Sequence, residues 1–325
     1  MPADRSWLAV AIALSWRGRG RTSPNPNVGC ILLDAKGRVA GRGWTQPGGR
    51  PHAEAMALAQ AGEAARGGTA YVTLEPCAHR SPRGACCASL LIEAGVKRVV
   101  IAAGDPDPRT NSAGIERLRA AGIAVSIGEL EADARAAMAG FFTRRTFGRP
   151  FVTLKLATSL DGQIALVDGT SRWITGEAAR AHAHLERAQH ETILVGRGTL
   201  EADAPQLNVR LAGLAERAPQ RVLMSRSDDS PDGWLHVSSP QDIASLPGDH
   251  LLIEGGAETA AAFLAADLVD RLLLYRAPIV IGAGKAALGT IGLDDLAHAH
   301  GRWRLADERD FAPDRLEVYE RVRAA

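Results

Sequence analysis

The chain has 325 residues, 46% hydrophobic and 23% charged, and its 38 Lys and Arg nearly balance 37 Asp and Glu for a formal net charge of +1. That length exceeds a typical single core and predicts two domains, while the balanced charge offers no sequence-wide basic field for nucleic acid. No apolar run reaches bilayer-spanning length, and the four cysteines read as unpaired thiols suited to a reducing compartment, so a cytoplasmic protein without membrane contact is expected.

Residues 4–16 predict a first helix. The apolar stretch from Trp7 to Leu14 runs straight into Arg17, Arg19 and Arg21 with no polar cleavage region, which argues against a secretion leader. Short apolar runs at 28–34, 38–44, 69–74, 98–103 and 123–127 predict strands. Helical segments at 52–61, 85–93, 113–121 and 130–144 separate several of them, as in a sheet covered on both faces. Phe147-Gly148-Arg149-Pro150 combines two chain punctuators ahead of a fresh strand at 151–157, which places a first domain at 1–146 and a second at 151–325.

Within the first domain, Pro51-His52-Ala53-Glu54 precedes Pro76-Cys77 and Cys86 and has the composition of a hydrolytic zinc site. Two thiolates and an imidazole make a three-ligand tetrahedral site whose fourth position is left for water. His52, Cys77 and Cys86 are therefore the expected ligands, and Glu54 the proton-transfer group, since water on a charge-cancelled zinc benefits from a base. Pro51 suits a first helical turn, so His52 and Glu54 would converge on an ion beyond a helix end, and Cys86 would stand at the start of the next helix. Cys30 and Cys87 read as structural thiols, with Cys87 pointing elsewhere on its helix.

Five segments, Thr22-Ser23-Pro24-Asn25-Pro26-Asn27-Val28-Gly29-Cys30, Pro51-His52-Ala53-Glu54, Tyr71-Val72-Thr73-Leu74-Glu75-Pro76-Cys77-Ala78-His79, Leu154-Lys155-Leu156-Ala157-Thr158-Ser159-Leu160-Asp161-Gly162 and Ser171-Arg172-Trp173-Ile174-Thr175, span both halves. In that order they resemble the bifunctional deaminase-reductase family of riboflavin biosynthesis. The resemblance implies an α/β protein: an N-terminal cytidine-deaminase-like three-layer α/β/α domain and a C-terminal dihydrofolate-reductase-like α/β domain using NADPH. It also implies hydrolytic deamination of a diaminohydroxy-phosphoribosylaminopyrimidine, with zinc activating the attacking water and Glu54 carrying the proton to the ring and the leaving nitrogen. Asn25 is a candidate to hydrogen-bond the ring, or a turn residue between two prolines. Thr45, Asp107 and the loop at 79–85 depart from the commoner family pattern in ways that bear on substrate recognition, where Arg80 or Arg83 would supply a loop charge or stay solvated.

The second half has no Gly-x-Gly-x-x-Gly, because Glu201 stands where a third glycine would follow Gly196-Arg197-Gly198, so a Rossmann domain is not indicated. Strand-to-glycine junctions at Gly196 and Gly255-Gly256 are candidate phosphate cradles or simple turns. By position in the family, Ala157, Trp173, Thr199, Asp203, Gly255, Gly256 and Ala257 match cofactor-binding places. Ser171, Arg187, Leu207, Arg210 and Glu254 match the substrate side. Arg187 and Arg210 would grip a ribose phosphate with the Ser171 hydroxyl, unless Arg187 only caps a helix and Arg210 is solvated. Ser225, with Arg226, is a candidate for the extra phosphate of NADPH. Lys155, on an alternating strand, needs a buried partner that Glu254 could supply, and the pair would orient and polarise the sugar as its ring opens and takes hydride to become ribityl.

Asp161-Gly162 and Gly282-Ala283-Gly284-Lys285 read as turns. Two rivals stay open: a deaminase whose second half has lost reduction, and a zinc-stabilised scaffold, against which the free carboxylate of Glu54 speaks. Sheet edges and apolar surfaces of such domains often pair, so a homo-oligomer is expected.

Overall fold

Gly148, at φ 69°, ends the last helix of the first half, and the chain divides there into two units, Met1–Gly148 and Arg149–Ala325. The computed structural model describes residues 2–79 and 84–323. Arg80 and Arg83, the two expected loop cations, lie outside the described residues. No helix among the described residues is long and apolar enough to cross a membrane.

The first unit comprises α1 (Pro2–Ser15), β1 (Gly29–Leu33), β2 (Val39–Trp44), α2 (Ala53–Ala61), β3 (Thr69–Leu74), α3 (Cys87–Glu93), β4 (Arg98–Ala103), α4 (Ala113–Ala120), β5 (Ala124–Ile127), α5 (Glu131–Ala137) and α6 (Ala139–Phe147). Its sheet has the order β2-β1-β3-β4-β5, with β1 antiparallel to both neighbours and the rest parallel. Every residue of β1 is buried, as a strand covered on both faces requires. Helices α1 and α5 pack together on the sheet, and α2 packs on β1 and β2 with α3 beside it.

Close approach of α2 depends on two glycines of β2. A Cβ at Gly41 would lie 2.0 Å from Ala57 O and one at Gly43 2.1 Å from Ala53 O, and Ala53 and Ala57 are fully buried. This Gly-x-Gly against Ala-x-x-x-Ala contact fixes where α2 begins. The single helix expected at 130–144 is broken at Met138, which is fully buried in a non-helical conformation (φ −109°, ψ 24°) and separates α5 from α6.

The second unit comprises β6 (Phe151–Thr158), β7 (Gln163–Leu166), α7 (Glu177–Arg187), β8 (Thr192–Gly196), α8 (Arg197–Asp203), β9 (Gln220–Met224), β10 (Leu235–Val237), β11 (His250–Ile253), α9 (Ala257–Ala265), β12 (Arg271–Arg276), β13 (Gly284–Ala286), β14 (Trp303–Phe311) and β15 (Asp314–Arg321). Eight strands form one sheet in the order β10-β9-β8-β11-β6-β12-β15-β14, parallel from β10 to β12, while β7 and β13 form a separate ribbon. After β6 the chain runs outward through β8, β9 and β10 before β11 inserts between β8 and β6. The carboxyl ends of β6, β8 and β11 therefore lie side by side, the place where ligands bind open parallel sheets. At the opposite end, Asp270 holds Arg149 through two bonds of 2.6 and 2.9 Å and accepts from the Val152 N–H at 2.8 Å, which fixes the start of β6.

Candidate active sites

In the first unit His52 is the N-cap of α2, in an extended conformation (φ −71°, ψ 164°), so the helix starts one residue later than expected and Pro51 stays outside it. The imidazole is thereby aimed beyond the helix end. His52 Nδ1 lies 3.3 Å from Cys87 Sγ and 3.6 Å from Cys77 Sγ, and these three donor atoms all fall within 4.8 Å of one another. Ligands on a tetrahedral zinc are separated by about 3.6 Å for a nitrogen and a sulfur, so the set fits that ion with one vertex to spare.

The second sulfur within that distance is Cys87 Sγ, while Cys86, the expected ligand, lies beside it in the same buried cluster of three thiols. Helix α3 begins at Cys87 with Cys86 as its N-cap. The Cys87 N–H donates to Cys77 Sγ at 3.3 Å, and the Ala88 N–H donates to Cys77 O at 3.2 Å, which lays the first turn of α3 over the Cys77 segment. Cys86 instead points toward Ser89 Oγ at 3.1 Å and Arg117 Nη1 at 3.0 Å. Cys87 stands four residues before the fully buried Leu91, on the same face of α3.

Glu54, in the first turn of α2, is 3% exposed, and burial pushes its carboxyl up to about 6, with His52 opposing and Cys77 reinforcing that shift. A hydrogen bond from Cys87 holds the Cys77 thiol down to about 4 against its burial. Cys87 is raised by the same bond and by burial. Asn25 is brought to the cluster, with Nδ2 2.7 Å from Gly49 O and 3.1 Å from His52 Nε2.

Glu75, before Pro76-Cys77, is buried and accepts from the N–H groups of Gly114 at 2.9 Å, Ser112 at 3.1 Å, Ile115 at 3.3 Å and Asp105 at 3.4 Å. It ties the end of β3 to the start of α4, a role the sequence reading missed. Thr45 and Asp107 are committed to local contacts. The Thr45 hydroxyl accepts from Val28 N at 3.0 Å, and Asp107 pairs with Arg109 at 2.5 Å and Arg145 at 3.4 Å, which holds its carboxyl well below the usual range.

In the second unit Glu254, just past β11, is a hub. Arg187 grips it through bonds of 2.7 and 2.9 Å, and Lys155 Nζ stands 3.9 Å away. Burial would raise the Glu254 carboxyl, but Arg187 and then Lys155 hold it down at about 2. Arg187 also donates to Asn208 O at 2.9 Å, and His184 Nδ1 meets the same carbonyl at 3.1 Å. Arg210 Nε reaches His184 Nε2 at 3.2 Å. Leu207, buried at φ 52°, turns the chain into this cluster, so Lys155, Arg187, Leu207, Arg210 and Glu254 come together. His184 and the Asn208 carbonyl join them unannounced, the latter because a backbone acceptor leaves no trace in residue type.

Beside this hub, Gly256 is the N-cap of α9, which starts at Ala257, and the Gly256 N–H donates to Thr199 Oγ1 at 2.9 Å. A Cβ on Gly255 would sit 2.7 Å from Thr259 Cβ, and one on Gly196 2.1 Å from Thr259 Oγ1. Both strand-to-helix junctions thus require bare backbone, as a cradle for a dinucleotide does. Ala157 pairs with Tyr275 across β6 and β12. Trp173 is exposed with Arg180 stacked 4.6 Å above it, Arg172 reaches Asp203 O at 3.1 Å, and Ser171 is half-buried just before them. Arg197, rather than Arg226, is the guanidinium against Ser225 Oγ, at 3.1 Å, and it also pairs with Asp229.

Two family models match the chain: "RibD C-terminal domain" over residues 150–315 and "Cytidine and deoxycytidylate deaminase zinc-binding region" over residues 1–103. The Escherichia coli riboflavin biosynthesis protein RibD is 37% identical over 360 residues, covering 96% of this chain and 97% of that protein. Among solved structures, Acinetobacter baumannii RibD superposes with a TM-score of 0.89 at 35% identity, covering 98% of this chain and 99% of that one. The Thermotoga maritima diaminohydroxyphosphoribosylaminopyrimidine deaminase/5-amino-6-(5-phosphoribosylamino)uracil reductase gives 0.89 at 31% identity with the same coverage.

Proposed function

The chain belongs to the RibD family, bifunctional deaminase-reductases of riboflavin biosynthesis with a zinc-binding deaminase domain and a reductase domain, and we propose that His52, Cys77 and Cys87 hold its zinc while the Glu254 hub serves NADPH-dependent reduction. The observation that carries the first part is the convergence of one imidazole and two sulfurs within 4.8 Å beside a buried carboxylate.

Zinc, when bound, supplies Lewis acidity toward water and the departing amine. Asn25 positions the imidazole through Nε2 and offers the rest of its amide to the ring of a diaminohydroxyphosphoribosylaminopyrimidine. Glu54 would accept the two protons of the attacking water in turn on a carboxylate oxygen, passing the first to the ring nitrogen and the second to the leaving nitrogen, so that the C–N bond breaks, ammonia leaves and the water oxygen stays as the ring carbonyl. Burial suits it to both halves of that transfer, since a carboxyl raised toward neutrality gives back a proton as readily as it takes one.

In the second unit NADPH, when bound, supplies the hydride. Bare backbone at Gly196, Gly255 and Gly256 would let its phosphates approach, with Thr199 and Ala257 at the same junction, and Ala157, Trp173, Asp203 and Ser225, the last with Arg197 beside it, are the remaining residues that would hold it. Lys155 Nζ, fixed by Glu254, polarises the opening sugar, and Arg187, Arg210, Ser171 and Leu207 shape the substrate side. Metal content measured together with ammonia release and subsequent NADPH oxidation tests the reading. One zinc per chain and equal amounts of ammonia released and cofactor oxidised are expected, and ammonia release without NADPH oxidation would overturn the reductase assignment.

A further inference from the structure

A cavity of about 350 Å³ opens onto the His52 cluster, lined by Arg50, His52, Gly84, Ala85, Cys87 and Leu90 among others. Its size is that of a small-ligand site. Arg50 is the one guanidinium among its described lining residues. Arg50 is half-buried, its Nη1 lies 3.4 Å from Ala85 O, and it makes no ion pair among the described residues. A Cβ on Gly84 would meet that same Nη1 at 3.0 Å, so the guanidinium rests against glycine backbone rather than in open solvent.

Arg50 and His52 are joined through extended backbone (Arg50 φ −150°, ψ 149°; His52 φ −71°, ψ 164°). Residues two apart in such a stretch have Cα atoms separated by about 7 Å. That is the scale of a ribose between a pyrimidine and its terminal phosphate. A guanidinium fork without a carboxylate among the described residues, in a cavity where the reacting end is already fixed by His52 and Cys87, is matched to a phosphate monoester.

We propose that Arg50 is the phosphate-recognising residue of the deaminase cavity, selecting phosphoribosyl pyrimidines over their dephosphorylated forms. This rests on the deaminase reading of the His52 cluster. Ammonia release is measured from the phosphorylated pyrimidine and from the same compound after phosphatase treatment, for wild type, Arg50→Met and Arg50→Lys. Loss of a charge-assisted fork should lower the ratio of kcat/KM for the phosphorylated over the dephosphorylated form on the order of ten- to a hundredfold in Arg50→Met. Arg50→Lys should recover part of it as a point charge. Zinc content and reductase rate of the same samples identify a variant that has failed to fold, in which case the lysine variant alone decides. An unchanged ratio in the folded variants would overturn the proposal. Absence of ammonia from either compound with zinc-loaded wild type would instead sink the underlying deaminase reading.

Discussion

Arg117 donates to Cys86 Sγ at 3.0 Å and to Ala78 O at 3.2 Å, so a single guanidinium from α4 spans the segments that carry Cys77 and Cys87 while occupying the one of the three clustered thiols that makes no contact with the imidazole. Adjacent cysteines thus have separate duties. Cys86→Ala should leave bound zinc near one per chain after dialysis. Cys87→Ala should lower zinc affinity by more than the roughly 10–100-fold that an outer-shell change costs, with the thiolate-to-metal absorption of the cobalt-loaded protein reduced accordingly. The reverse pattern would return Cys86 to the ligand set.

Glu54→Gln keeps the shape of the side chain but cannot hold a proton. Ammonia release should fall by about 10²–10⁴-fold while zinc content and the reductase rate stay at wild-type values. Turnover within tenfold of wild type would remove Glu54 from proton transfer.

The Glu254 carboxyl is held at about 2 against an ordinary value of 4.5, burial being outweighed by Arg187 and Lys155. A depressed acid stabilises the fold at pH above its unfolded value, and that contribution, about 3 kcal/mol, is lost as pH falls from about 4.5 toward 2. Wild-type stability should therefore decline over this acid window. Glu254→Gln should be less stable at neutral pH, because Arg187 and Lys155 lose their shared partner, and should show a shallower decline below pH 4.5. Urea titrations followed across that range check both; parallel acid limbs for the two proteins would contradict the assignment.

Gly196→Ala places a Cβ where Thr259 Oγ1 now lies, and the fully buried β8 has little room to shift. A cost of about 1–3 kcal/mol in unfolding free energy is expected from the forced overlap. The NADPH KM should rise with it and the ammonia-release rate should not. A selective effect on deamination would place the cofactor junction elsewhere.

Much of this arrangement was legible from residue order alone, for physical reasons that differ by element. Strands β1, β3 and β4 are continuous buried runs bounded by turn formers, so their apolar residues announce them. His52, Glu54 and Cys77 are legible because their spacing is set by a helix start and a strand end. Which of the two adjacent cysteines faces the imidazole is not legible, because they differ only in helix phase and the phase is fixed by where α3 begins. Lys155 and Glu254 could be paired in advance because a buried charge must find a partner, whereas His184 and the Asn208 carbonyl are brought in by the turn at Leu207. The break at Met138 is likewise tertiary, since nothing in an Ala-rich segment marks it.

The eight-stranded sheet terminates differently at its two flanks, with one result. β10 is only three residues long, too short to template another strand. On the other flank β14 carries Arg304, Asp307, Glu308, Arg309 and Asp310, with Arg304 bonded to Glu320 at 2.6 Å and Glu308 to Arg315 at 3.0 Å on the neighbouring strand. A second chain adding its backbone there would have to strip water from alternating charges of both signs. Both flanks therefore resist the runaway ribbon growth that leads to fibrils.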